Sequence, residues 1–392
     1  MRKKSIALGA LFAFGFAGSA VAQQCGGDFN AWREGVRQEA AADGIGERGL
    51  SALNGAGIDQ KVLQRDRAQG VFNQTFAEFA GRMINDYRLR NGAANLKKYA
   101  NTFARAENEF GVPGPVIASF WALETDFGAV QGDFSTLDAL ATLAHDCRRP
   151  EIFRPQLIAL LHLIDKGWVP ANVTGAWAGE IGQMQMLPSD YYTKGVDGDG
   201  DDKVDLKGSS PDAILTAAKN LQSLGWKPDE PWMEEVRVPD QMAWEKTGRV
   251  TKLPRSEWAA MGVTYRDGSP LPADGMATAV VLPMGHKGPA FLVYDNYDIY
   301  LEWNQSLIYT LTAAHLAARL AGAPRFDVRS PEQGLAPETM KQLQTKLAAR
   351  GHDVGKIDGI LGAGTREAVR QEQLRLGLPA DGWPTPTLFS NL

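Results

Sequence analysis

Cysteine is nearly missing from these 392 residues: Cys25 and Cys147 are the only two. So sparse a pair excludes a scaffold built on disulfides, and five scattered histidines without ligand spacing exclude a Cys/His zinc site. His145, His162 and His315 fall in apolar helical stretches and read as packing residues. An excess of positive charge is missing too, since 41 basic residues face 46 acidic ones for a net charge of −5. That balance argues against nucleic acid as a partner. Beyond residue 22 no apolar run is long enough to cross a bilayer.

The one long apolar run opens the chain. Arg2, Lys3 and Lys4 precede an apolar stretch from Ile6 to Phe16 and then Ala20-Val21-Ala22, the three parts of a secretory signal. Cleavage after Ala22 removes three cations and no acids, taking the net charge from −5 to −8. Gln23 and Gln24 stand where lipoproteins place small residues before a modified cysteine. The expectation is therefore a periplasmic monomer without a membrane anchor. An oxidising compartment also favours a disulfide between Cys25 and Cys147.

Composition divides what remains. After the signal (1–22), a main unit is expected over 23–326, a polar linker over 327–334 and a small domain over 335–392. From Phe29 to Lys166 the chain is rich in Ala, Leu, Phe and Arg at helical spacing. Val71–Asn91 and Ala94–Phe110 read there as consecutive amphipathic helices. Between about 228 and 293, Glu235–Val238, Thr278–Leu282 and Phe291–Tyr294 alternate with Pro, Gly and Asp, which predicts a small inserted sheet. Residues 299–322 read as one further helix, stopped at Gly322-Ala323-Pro324.

The stretch FGVPGPVIASFWALETDFG (Phe110–Gly128) carries the first chemical signal. Pro113 and Pro115 suit a helix start, and Val116, Phe120, Leu123 and Phe127 recur at the spacing of a core-facing side. Glu124 follows Phe120 and Trp121 by one turn, which sets a carboxyl over aromatic surface. Such an acid resists ionisation and suits proton donation at neutral pH. On spacing alone, an ordinary surface glutamate is an equal reading.

Several separated pieces, in order, resemble the lytic murein transglycosylases of the membrane-bound lytic transglycosylase B type, here in a soluble form. They are Glu124–Gly128, LDALATLAHDCRRPEIFR (Leu137–Arg154), WAGEIGQMQMLPSDYY (Trp177–Tyr192), VDGDGDDKVDL (Val196–Leu206), PDAI (Pro211–Ile214) and YLEWNQSLIY (Tyr300–Tyr309). The likeness implies a mainly α (α+β) fold: a lysozyme-like helical core with the β-rich insertion. It implies cleavage of the β-1,4 bond between N-acetylmuramic acid and N-acetylglucosamine in peptidoglycan. Glu124 takes the position of the sole acid/base, and no catalytic cofactor is needed. That residue protonates the departing oxygen, then removes a proton from the C6 hydroxyl, which closes on C1 to give a 1,6-anhydro end. Two alternatives remain open. One is a lysozyme-type hydrolase that enlists a second carboxylate from Asp138, Asp146 or Glu180. The other is a non-catalytic peptidoglycan-binding scaffold. Asp126, two positions after Glu124, points off its face.

The resemblance also implies substrate contacts at Arg148, Arg149, Gln185, Trp303, Asn304 and Tyr309. Forked guanidinium groups suit lactyl or peptide carboxylates, although on residue type alone Arg148 and Arg149 read as a solvated pair. Ala176 replaces a common serine, with Thr174 a candidate substitute for its hydroxyl; Asn220 and Phe79 replace tyrosines. Asp197, Asp199 and Asp201 alternate as a calcium loop begins, but Asp202 and Gly208 break the standard twelve-residue pattern. The longer loop of the family, closed by Asp212 and with the Lys203 backbone oxygen, implies a structural Ca2+; a solvated acidic turn is the alternative. Residues 335–392 resemble the type 1 peptidoglycan-binding domains and predict three helices, at Pro337–Arg350, Ala363–Leu376 and near Thr385–Leu388. Their core is expected at Leu343, Leu347, Ala368, Val369 and Leu374.

Overall fold

A computed structural model describes residues 25–68 and 74–392. The expected signal, residues 1–22, lies outside the described residues. Helices dominate: seventeen α-helices and two antiparallel sheets lie among the described residues, which makes the fold mainly α. Ile117, Phe120, Leu140, Leu160, Ile214 and Tyr300 are fully buried in one continuous core. Each of the wholly apolar side chains among them contributes roughly 1.5–3 kcal/mol on leaving water. The helix at Thr136–His145 packs on Pro150–Lys166, and Leu307–Leu320 packs on Gly114–Thr125.

Three of the expected helices are divided, two of them by local polar bonds. Val71–Asn91 is not one helix: Thr75 and Glu78 form a capping box at the head of Phe76–Met83, and Asn85 caps Asp86–Lys98. Val71, Phe72 and Asn73 lie outside the described residues. Ala94–Phe110 spans two helices that meet at Tyr99. Residues 299–322 break at Asn304-Gln305-Ser306, leaving Asp295–Trp303 and Leu307–Leu320. Asn304 Oδ1 accepts from the Ser306 N–H at 3.0 Å, and Ser306 Oγ accepts from the Tyr309 N–H at 3.4 Å. Side chains of this kind compete with the helical ladder.

The insertion is a five-stranded antiparallel sheet in the order Leu253–Pro254, Ala277–Val281, Ala290–Val293, Met233–Arg237, Thr264–Tyr265. Three of these strands lie within a residue or two of the predicted runs. Val236, Val280 and Leu292 build a second core with Trp244 and Trp258.

The tail forms helices at Pro337–Ala349, Ala363–Arg375 and Pro386–Ser390. Leu343, Leu347, Ala368 and Val369 are buried, but Leu374 is 51% exposed. Five residues past Val369 is about 140° round the helix, so Leu374 turns outward. Leu376 and Leu378, beyond the helix end, pack in its place. This domain is docked, and its linker is held down. Arg329 Nη1 donates to the carbonyls of His286 and Gly288, and Trp383 Nε1 donates to Glu332 O at 2.9 Å. Asp381 accepts the His286 N–H at 2.9 Å and pairs with its ring at 2.6 Å.

Cys25 and Cys147 form a disulfide with Cα atoms 5.1 Å apart across 122 positions. Beside it the Gly26 N–H donates to His145 O at 2.7 Å, and the His145 ring meets Phe29 and Trp32 edge-on.

Candidate active site

Glu124 sits on the last turn of a helix at Gly114–Thr125, with Pro113 at its cap and Pro115 in its first turn. Ile117, Ala118, Phe120, Trp121 and Ala122 are all buried, so the helix is apolar all round and lies within the core. The chain then turns at Asp126 and Phe127, with φ of 49° and 63°. Phe127 therefore lies past the helix and not on its expected apolar side. Aspartate tolerates this left-handed geometry, and the Asp126 carboxylate is held by Arg88 Nε at 2.7 Å. Thr125 Oγ1 donates to Gln183 O at 2.6 Å and accepts from the Gly128 N–H at 2.8 Å, which fastens the helix end to the Gln183–Gln185 loop.

The polar partners of Glu124 come from far along the chain. Trp303 Nε1 donates to its Oε1 at 3.0 Å, and the Tyr309 hydroxyl donates to the same oxygen. The Trp303 ring stacks on Phe120 at 4.4 Å, 27° from parallel. The break at Asn304–Ser306 lets Trp303 and Tyr309, six positions apart on two helices, converge on one carboxyl.

Burial pushes the Glu124 carboxyl above the usual carboxylate range; the bonds from Tyr309 and Trp303 oppose that shift, and the charge of Glu180 adds to it. Burial also raises Glu180, whose Oε2 is buried without a hydrogen-bond partner. The other acids singled out in the sequence are engaged elsewhere: Asp138 Oδ1 accepts from the Gly57 N–H at 2.8 Å, and Asp146 pairs with Arg67 at 2.9 Å. Replacing Glu180 by Gln removes a like charge and lowers the Glu124 pKa. The protonated donor is then lost at lower pH, so the alkaline limb of the kcat/KM profile moves down. A limb that stays in place would show that Glu180 does not tune the acid.

The remaining predicted site residues divide. Gln185, at φ 48°, donates to Gly182 O at 2.8 Å and Gln131 O at 3.3 Å, within the loop fastened to the acid helix. Asn304 lines a cavity of about 610 Å³ with Tyr309 and Ser306. Part of the cavity's lining, Ile360–Ala363, comes from the C-terminal domain and was not anticipated from sequence. No local pattern could have shown it, because it depends on how two units dock.

Arg148 and Arg149 both pair with Asp66, a buried carboxylate on the helix Gln60–Arg67. The Thr174 hydroxyl accepts from Lys207 Nζ at 3.3 Å, and Asn220 Oδ1 accepts from Lys194 Nζ at 2.6 Å. Phe79 lines the same cavity as Asn304, with the Arg82 guanidinium 5.5 Å from its ring.

In the acidic loop, carboxylate oxygens of Asp197, Asp199 and Asp212 lie within 4.8 Å of one another. Asp201 is not in that cluster, and its Oδ1 accepts from the Lys203 N–H at 3.0 Å. Asp212 is fully buried; burial raises its carboxyl, bonds from Asp205, Gly198 and Ser209 oppose this, and the charge of Asp199 adds to it.

A buried carboxyl with a raised pKa, bonded by Trp303 and by the Tyr309 that lines the neighbouring cavity, in a helical lysozyme-like fold, has the chemistry that proton donation in glycan cleavage requires. The chain belongs to the transglycosylase SLT domain family, whose pattern residues 28–318 match, and residues 337–392 match the putative peptidoglycan binding domain. It is a lytic transglycosylase with a C-terminal peptidoglycan-binding domain.

Membrane-bound lytic murein transglycosylase B of Escherichia coli K12 is 29% identical over 252 residues, 64% of this chain and 68% of that protein. SltB3 of Pseudomonas aeruginosa, solved with NAG-anhNAM-pentapeptide, superposes with a TM-score of 0.86 at 37% identity, covering 93% of this chain and 99% of the other. An Escherichia coli lytic transglycosylase solved with calcium gives a TM-score of 0.62 at 27% identity, covering 77% of this chain and 97% of the other.

Proposed function

We propose that Glu124 performs both proton transfers of a non-hydrolytic cleavage between N-acetylmuramic acid and N-acetylglucosamine. The observation that carries this is the arrangement of donors: Trp303 and Tyr309 both bond Oε1, which leaves Oε2 to hold the proton. The Oε2 proton passes to the glycosidic oxygen as its bond to C1 breaks, and the substrate's 2-acetamido carbonyl stabilises the sugar cation. The carboxylate so formed is held by the two Oε1 donors. It takes the C6 hydroxyl proton while O6 bonds C1, which returns Glu124 to its starting state and consumes no water. Closure within one ring system needs positioning more than an activated external nucleophile. The anhNAM unit in the SltB3 complex supports this reading.

Trp303 offers an aromatic face to a pyranose ring, while Asn304 and Gln185 offer amide groups to acetamido and hydroxyl groups. Arg148 and Arg149 contact carboxylates of the substrate. Their side chains are 45% and 31% exposed, so donors remain beyond those given to Asp66. Incubation of sacculi with the mature protein, followed by mass spectrometry of the muropeptides, is expected to show anhydro ends. Reducing ends would favour hydrolysis, for which the unbonded Oε2 of Glu180 is a structural argument. Intact sacculi would favour a scaffold.

A structural Ca2+ held by Asp197, Asp199 and Asp212 belongs to the same proposal. Three clustered acids, one fully buried and in no ion pair among the described residues, suit a hard cation with oxygen ligands. Such an ion would neutralise the cluster and fix the loop that precedes Ser210–Ser223. Chelation is expected to lower the melting temperature and added calcium to restore it; a melting curve indifferent to both removes the ion from the account. Residues 1–22 are read as the export signal, which delivers a monomer to the periplasm. No helix among the described residues is long and apolar enough to cross a membrane.

A further inference from the structure

A second cavity, of about 380 Å³, lies where the inserted sheet, the Asp295–Trp303 and Leu307–Leu320 helices and the C-terminal domain meet. Its chemistry is unlike that of the catalytic cleft. Arg366 and Arg370 line it, on the helix Ala363–Arg375, together with Tyr297. Tyr297 is 1% exposed and its hydroxyl has no hydrogen-bond partner; Arg370 Nε is likewise buried without one. Buried donors are nearly always paired, so two orphans on one cavity call for an acceptor.

The acids nearby are mostly committed. Glu367 pairs with Arg370 through Nη1, and Asp381 is taken by His286, Gln373 and the Trp383 N–H. Arg366 donates to Pro283 O at 2.9 Å and lies over the Trp383 ring, but no ion pair in the described residues includes it. Burial pushes its guanidinium down to about 10, the mark of a cation short of compensation. The backbone at Gly248, with φ 107°, approaches so closely that a Cβ there would meet Arg370 Nη2 at 2.7 Å.

We propose that this cavity binds a carboxylate of the peptidoglycan stem peptide, an assignment that rests on the peptidoglycan reading above. Arg249, Leu307 and Ala363 line both this cavity and the one beside Asn304 and Tyr309, so a peptide branching from a glycan in the cleft has a continuous route to it. Guanidinium forks and a phenol hydroxyl match a carboxylate. The C-terminal domain then reads the stem at a defined place, jointly with the catalytic unit, beyond any general adhesion to the wall.

The test is calorimetric titration of the full mature chain with a free stem tetrapeptide, and separately with inorganic phosphate. Arg370→Gln and Tyr297→Phe are compared with wild type, their melting curves recorded alongside. The peptide is expected to bind about tenfold more weakly to Arg370→Gln, and several-fold more weakly to Tyr297→Phe, whose only change is the missing hydroxyl. Equal binding to all three, or no binding to wild type, overturns the assignment. Phosphate that binds as tightly as the peptide and competes with it also overturns it, in favour of a general anion site. Wild-type digestion of glycan stripped of its stems tests the catalytic reading separately: anhydro ends there with no peptide binding would condemn only the pocket.

Discussion

Glu124→Gln is expected to lower kcat for anhydro-muropeptide release about a thousandfold, with little change in KM. General acid–base catalysis contributes about 10² to 10⁴ per positioned group, and in the proposed mechanism one group serves both steps. An amide can still accept from Trp303 and Tyr309, so the geometry survives while the transferable proton does not. Stability should move the other way. The folded state holds the Glu124 carboxyl above its unfolded value, so the native form binds more protons and the wild type loses stability as pH rises through the ordinary glutamate range. Glutamine carries no such penalty. The variant should therefore melt above wild type at neutral pH, with the gap closing in acid. A variant that melts below wild type at neutral pH would trace lost activity to damage and not to chemistry.

Loss of the Cys25–Cys147 bond is expected to have the largest effect on stability. Its closed loop spans 122 positions, for which the chain-entropy account gives roughly 4–5 kcal/mol. For a unit of this size that corresponds to a melting temperature lower by roughly 10 °C. The double variant Cys25→Ser, Cys147→Ser keeps the Gly26–His145 bond and the Phe29–His145–Trp32 cluster, so the native fold should remain reachable. A scan with and without reductant measures the difference. Coincident melting curves would mean that those contacts alone fix the segment around Gly26.

What could be read from the sequence follows the range of the forces involved. Pro113 and Pro115 mark the start of the acid helix, and alternating apolar residues mark three strands within a residue or two, because both signals are local. The break at Asn304–Ser306 was written locally as well, in an Asn and a Ser two apart, but the apolar spacing on either side masked it. That break is what brings Trp303 and Tyr309 together, so the error fell on the element that matters most to Glu124. The sequence placed aromatic surface under the acid from its own helix. In the structure Phe120 stacks on Trp303, and it is Trp303 that makes the polar contact with the acid. Arg148 and Arg149 had the right chemistry for carboxylates, and Asp66, some eighty positions away, is the carboxylate they bond. The wall contributed by Ile360–Ala363 and the orphaned donors of Tyr297 and Arg370 arise from domain docking, which no window of sequence encodes.

In the proposed reaction one buried carboxyl cleaves the glycan without water. Digestion of sacculi in heavy-oxygen water, with mass spectrometry of the released muramyl ends, tests it most directly. Intramolecular closure predicts anhydro ends that carry no label. Labelled reducing ends formed by the wild-type protein, and lost in Glu124→Gln, would contradict it and make the enzyme a hydrolase.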